Sequence, residues 1–101
     1  MDFVRIAEPN AEVISLTGRF TFSDYQRFSD LIADLRASER NAYVLDLAGV
    51  DFLDSAAIGM LLVLREEARR QGWTIILRHP TGQTRKTLQR SALDTVFGIE
   101  A

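Results

Sequence analysis

The chain contains no cysteine and a single histidine, His79. Disulfides, thiolate catalysis and cysteine metal sites are therefore excluded, and one imidazole leaves little material for a zinc centre. Charge of one sign is also lacking. Twelve basic residues stand against fourteen acidic ones, a net charge of −2, so no field draws in nucleic acid. Seven basic residues do lie beyond residue 60, but Glu66 and Glu67 interrupt them, which fits a solvated helix face as well as a binding patch. Gly18, Gly49, Gly59 and Gly72 are isolated from one another, so there is no glycine-rich phosphate loop, and no Gly-x-Ser-x-Gly elbow occurs. Met1 to Arg5 has neither a basic start nor an apolar core and reads as a strand, not a signal peptide. The longest apolar run, Ala56 to Leu64 with Gly59 inside it, is too short to cross a bilayer. These absences predict a cytoplasmic protein without cofactor, metal, nucleic acid or membrane partner.

What is present is the composition of an ordinary globular domain: 47% apolar and 26% charged over 101 residues, enough for one domain spanning 1–101 and its own core. Phe3 to Ala7 and Glu12 to Thr17 are rich in Val, Ile and Leu, and the Glu8-Pro9-Asn10-Ala11 turn between them predicts an antiparallel hairpin. Gly18 is expected to end the second strand, and Ser23-x-x-Gln26 to form a capping box at the start of a helix. Phe28, Leu31, Ile32 and Leu35 then fall at i, i+3, i+4 and i+7, the stripe of an amphipathic helix lying on a sheet.

Ala42 to Leu47 is apolar on both faces apart from Asp46 and predicts a central strand. A loop from Ala48 to Ser55 is expected next, then a helix from Asp54 or Ser55 to Arg70, closed by Gly72. Trp73 to Leu77 reads as a strand parallel to the central one, because a strand, helix, strand order implies a right-handed crossover. A third helix over Thr84 to Ala92 and an apolar closing segment of Leu93, Val96, Phe97 and Ile99 complete the reading. The fold class is α/β: a mixed sheet, antiparallel in its first hairpin and parallel at its centre, packed with three to four helices. In such sheets the functional crevice lies beyond the carboxyl ends of the parallel strands, here at the Ala48 to Ser55 segment.

That segment carries an Asp-Ser pair, Asp54-Ser55, at a helix amino terminus. Either residue can serve simply as the N-cap. Alternatively, a phosphate on Ser55 would sit where free backbone N–H groups favour negative charge, so the position tolerates that modification.

Taken with its surroundings, the segment resembles the STAS domain of anti-sigma factor antagonists. Leu16-Thr17-Gly18, Val44-Leu45-Asp46-Leu47, Phe52-Leu53-Asp54-Ser55, Ile58-Gly59 and Ser91-Ala92-Leu93 with Phe97 and Ile99 carry the resemblance over nearly the whole chain. It implies that Ser55 is the phosphorylated serine. It also implies that the unphosphorylated form binds a serine kinase doubling as an anti-sigma factor, thereby releasing the sigma factor. Phosphorylation breaks that complex, and a metal-dependent serine phosphatase restores it. The partner surface would take in Thr21, Asp54, Ser55, Ala56, Ile58, Gly59, Met60 and Val63. Three positions depart from the family pattern. Ala56 and Ala57 replace a usual Ser or Thr and a Gly, leaving Ser55 as the loop's one hydroxyl; Thr21 stands where an acidic residue is frequent; Ala92 replaces a common glycine at a helix end.

In the helix after Ser55, Met60, Val63 and Leu64 extend the apolar surface beyond one stripe, so either neighbouring elements bury it or Met60 and Val63 are partly exposed as a partner groove. Enzyme readings are weaker. A triad of Ser55, His79 and an aspartate lacks the elbow, and a magnesium site from Asp46, Asp51 and Asp54 conflicts with strand alternation at Asp46. The chain is read as a non-enzyme that binds a partner. The alternative is an unphosphorylated STAS scaffold, a nucleotide- or lipid-binding module, or a subunit of a transport complex.

Overall fold

In a computed structural model describing residues 1–100, the side chain of Asp94 excepted, the chain runs β1 (Asp2–Ala7), β2 (Glu12–Phe20), a 3-10 turn (Phe22–Asp24), α1 (Tyr25–Ala37), β3 (Ala42–Leu53), α2 (Ser55–Gln71), β4 (Thr74–Arg78), α3 (Gly82–Arg90), a second 3-10 turn (Leu93–Thr95) and β5 (Gly98–Glu100). The five strands form one sheet in sequence order. β1 pairs antiparallel with β2, and every later pair is parallel. This is the mixed sheet expected from the sequence, and the three helices among the described residues fall within the expected three to four.

The strand order has a physical consequence. Each crossover advances the chain in the same direction across the sheet, so right-handed connections put α1, α2 and α3 on one face. Alternation along the strands agrees. Ile14, Leu16, Tyr43, Leu45, Leu47 and Leu77 join the helix residues Phe28, Leu31, Leu61, Leu64 and Leu88 in a single core cluster. The intervening residues Val13 and Val44, though buried, lie outside that cluster, and Val4 beside them is 61% exposed. Among the described residues this leaves no helix for the back of the sheet. The hairpin is held across its strands by Arg5, whose guanidinium donates to both oxygens of the buried Glu12 carboxylate at 2.6 and 3.1 Å.

Three local expectations need correction. Gly18 does not end β2; the strand continues to Phe20, and Gly18 takes φ +88 at a register shift, a conformation that glycine adopts without a Cβ clash. The helix start is not capped by Ser23 and Gln26. The Asp24 carboxylate instead accepts from the Thr21 N–H at 2.9 Å, closing the 3-10 turn, and α1 begins at Tyr25. The loop from Ala48 to Ser55 is mostly strand. β3 runs on to Leu53 because β2 pairs with it all the way, from Glu12 with Tyr43 to Phe20 with Leu53. Two extra residues in β3, one between Asp46 and Gly49 and one between Val50 and Phe52, are absorbed as bulges. They shift the alternation, so that Val50 and Leu53 point into the core although Leu47 does too.

The Trp73 to Leu77 strand is found at Thr74–Arg78, and the third helix lies two residues earlier than expected, at Gly82–Arg90. Gly72 does close α2, in the left-handed conformation at φ +77.

Candidate functional site

β3 delivers the chain to the start of α2 through one residue. Asp54 is extended, with φ −98 and ψ 179, and its Oδ1 accepts the Ala57 N–H at 2.8 Å, which makes it the N-cap. Its other oxygen, Oδ2, accepts the Phe22 N–H at 3.0 Å, and the Asp54 N–H donates to the Phe20 carbonyl at 3.3 Å. One carboxylate therefore caps α2 and ties it to the turn between β2 and α1. The choice left open by the sequence is resolved: Asp54 is the cap, and Ser55 is the first residue inside the helix.

Ser55 is exposed, and no hydrogen bond of its hydroxyl is found among the described residues. The same Asp54 contact brings Thr21 to the site, because Thr21 immediately precedes Phe22. Thr21 is half-buried and its hydroxyl lies 2.9 Å from that of Ser23. Along α2, Ala56 and Ile58 are half-buried, Gly59 is exposed, and Val63 is 59% exposed. Met60 is not. At 5% exposure it packs into the core, because α1 lies against that side of α2 and Met60 forms the floor of the seam between them. A seam between α1 and α2 is present, bordered by Tyr25, Ile32, Arg36 and Val63; Val63 is exposed at it as expected, whereas Met60 does not protrude into solvent.

Two aromatic residues escaped the sequence reading. Phe22, on the turn that Asp54 holds, is 72% exposed, and Tyr25, the first residue of α1, is exposed after it. The available signal was Tyr25 three residues before Phe28, on the line of the apolar stripe but ahead of its covered part. Leu62 on α2 is also exposed.

A second concavity, an open cleft of about 420 Å³, lies on the other side of Ser55. Leu53, Asp54 and Ser55 form one wall and Gln83, Thr87 and Arg90 of α3 the other. α3 is anchored there by the buried Thr84, whose hydroxyl donates to the Val50 carbonyl at 2.9 Å.

The seam between α1 and α2 is closed at its far end by charge. Glu67, 5% exposed, accepts from Arg36 of α1, from Arg70 at 3.2 Å and from Gln71 at 3.3 Å. The hydrogen bond from Arg36 holds its carboxyl below the usual carboxylate range, outweighing the opposing effect of burial.

The aspartates considered for magnesium are apart in role. Asp46 accepts from the Ala48 N–H at 3.0 Å, Asp51 is exposed, and Asp54 is committed to its two backbone donors. Among the described residues no group of three or more metal-ligating side chains occurs. His79 is exposed, with its N–H donating to the Glu100 carbonyl at 2.6 Å. No helix among the described residues is long and apolar enough to cross a membrane.

Comparison with known proteins places this architecture. Residues 4–99 match the family model described as Mlab, STAS domain. The STAS-domain containing protein PA14_20770 of Pseudomonas aeruginosa (strain UCBPP-PA14) is 37% identical over 86 residues, covering 85% of this chain and 84% of that protein. Among solved structures, an anti-sigma factor antagonist from Mycobacterium paratuberculosis superposes with a TM-score of 0.80 at 23% identity, over 98% of this chain and 84% of that one. The anti-sigma factor antagonist SpoIIAA in its unphosphorylated form superposes with a TM-score of 0.81 at 20% identity, over 99% and 89%. Bulged strand, single-residue connection, Asp-capped helix and family match converge on one statement: this chain belongs to the STAS domain family.

Proposed function

We propose that this protein is a partner-switching regulator of the anti-sigma factor antagonist kind. Unphosphorylated, it binds a serine kinase that acts as an anti-sigma factor; phosphorylation of Ser55 releases it, and a metal-dependent serine phosphatase resets it. The observation that carries the reading is the division of labour at the start of α2. Asp54 does the capping, so the Ser55 hydroxyl is exposed and has no structural task. Modifying it leaves the helix intact while placing a charge of about −1.5 to −2 on a surface that also presents Phe22, Tyr25 and Val63. An apolar surface adjoining a modifiable hydroxyl is what a charge-gated interface requires. The structural neighbours support the same kind of function, since SpoIIAA is known in both an unphosphorylated and a phosphorylated form.

The test is a binding comparison by calorimetry with the cognate kinase. Ser55→Ala should bind as tightly as the unmodified parent and remain as stable to within about 0.5 kcal/mol, because the cap is Asp54. Phosphorylated protein should bind on the order of a hundredfold more weakly, the equivalent of roughly 3 kcal/mol of like-charge repulsion and desolvation. Ser55→Asp should show part of that loss. Equal affinity of all forms would remove the switch.

A second reading, a scaffold or transport-complex subunit in which Ser55 stays unmodified, is favoured by one finding: the matching family is described as Mlab, STAS domain, not as a group of antagonists. Intact-mass measurement on protein from its native host separates the two. A phosphate-sized increment on Ser55 supports the switch, and an unmodified chain under all growth conditions supports the scaffold.

A further inference from the structure

We propose that Arg90 is the internal partner of the phosphoryl group on Ser55, so that phosphorylation bridges α2 to α3 across the cleft between them. The inference rests on the reading of Ser55 as the modified residue and deepens it. Ser55 and Arg90 line opposite walls of the same cleft. Asp54 and Arg90 are the only charged side chains among its lining residues. The Asp54 carboxylate is held in place by the Ala57 and Phe22 N–H groups and cannot swing away, so a phosphate on the next residue meets a fixed negative charge on one side. Arg90 is the one basic side chain lining that cleft. Its guanidinium has no ion pair or hydrogen bond among the described residues, in contrast to Arg5, Arg36, Arg65, Arg69, Arg70 and Arg78.

A planar fork of N–H donors suits the oxygens of a phosphoryl group, and on the same wall the Gln83 amide donates to the Thr87 hydroxyl at 2.8 Å, leaving the Thr87 O–H as a neutral donor. The volume is adequate. About 420 Å³ accommodates a phosphoryl group with several waters, each of which occupies about 30 Å³ in the liquid. The bridge gives the switch a second component: beyond adding charge, phosphorylation ties the start of α2 to the end of α3. It also fits the expected weakness of an aspartate substitute, which brings less charge and fewer acceptor oxygens than a phosphoryl group.

The experiment installs phosphoserine at position 55 during translation, so that it does not depend on whether a kinase modifies the chain. The phosphate's second ionisation is then followed by phosphorus NMR in the parent, in Arg90→Gln, in Arg90→Lys and in Lys86→Gln, which alters a basic residue of α3 that does not line the cleft. The expected result is a phosphate pKa about half a unit or more higher in Arg90→Gln than in the parent, largely restored by Arg90→Lys, with Lys86→Gln unchanged. An unchanged value in Arg90→Gln overturns the bridge. Equal shifts in Arg90→Gln and Lys86→Gln overturn it as well, because they report the general field of α3. Either failure leaves the binding comparison with the kinase untouched, and a chain that is never phosphorylated in its host fails that earlier reading without altering this measurement.

Discussion

At the scale of single residues, the glycine with the least room for a side chain lies within β3 and not at the proposed switch. Gly49 lies at the first β3 bulge, where a Cβ would come within 2.7 Å of Thr17 Cγ2 and 3.0 Å of the Leu16 carbonyl oxygen. Thr17 is β-branched and the carbonyl is backbone, so neither neighbour can yield freely. Gly49→Ala should therefore destabilise the domain by about 1–3 kcal/mol in denaturant titration, and an unchanged midpoint would show that β2 and β3 are less tightly apposed than described. Ala92 presents the opposite case. It adopts φ +57 at the end of α3, the left-handed region that favours glycine, which explains why glycine is common there in the resembling family. Its departure from that pattern was legible in the sequence; its backbone strain was not, because a composition at one position carries no dihedral angle. The Asp54-Ser55 pair divides in the same way. Its presence at a helix start could be read directly, but which of the two caps depends on where β3 stops, and that is decided by pairing with β2 residues more than thirty positions earlier.

At the scale of elements, α2 shows what periodicity can and cannot tell. Its apolar residues are too many for one stripe, and the sequence leaves open whether Met60 and Val63 are covered. The packing of α1 decides the matter for each residue separately: Met60 forms the floor of the seam while Val63 stands at its rim. The two positions should accordingly respond differently to the same change. Met60→Asp puts a charge into the core and should cost several kcal/mol, about 3–5, with a sharp fall in melting temperature. Val63→Asp should change stability by about 0.5 kcal/mol or less, since Asp and Val differ little in helix propensity, yet weaken kinase binding at least tenfold, about 1.4 kcal/mol. Thermal melts and calorimetry on both variants check this. Full-strength binding by a folded Val63→Asp protein would exclude the rim of the seam from the proposed partner surface. The element boundaries missed in the sequence share one cause. β2 and β3 each extend past the residues that look like strand ends, Gly18 and Gly49, because the two strands support each other across their bulges.

At the scale of the whole molecule, the three helices among the described residues lie on one face of the sheet, and the integrity of that layer depends on how α1 and α2 are held together. Leu31, Leu35, Leu61 and Leu64 supply the apolar part, and the Arg36 to Glu67 contact is the polar link from one helix to the other. Because Arg36 holds the Glu67 carboxyl below its ordinary range, the unfolded chain binds a proton there more readily than the folded one. The sign follows. Glu67 contributes its full stabilisation above the unfolded carboxylate pKa of about 4.3 and loses it as the pH falls through the lower folded value. Glu67→Gln keeps the volume of the side chain but cannot ionise, so it isolates this effect from the titration of the other carboxylates. The variant should melt below the parent at pH 7, and the gap should begin to close below about pH 5 and vanish once Glu67 is protonated in both states. A gap that persists unchanged into acid would mean that Glu67 holds α1 to α2 through neutral hydrogen bonds and shape, and that the charge of Arg36 contributes nothing to the helical layer behind Ser55.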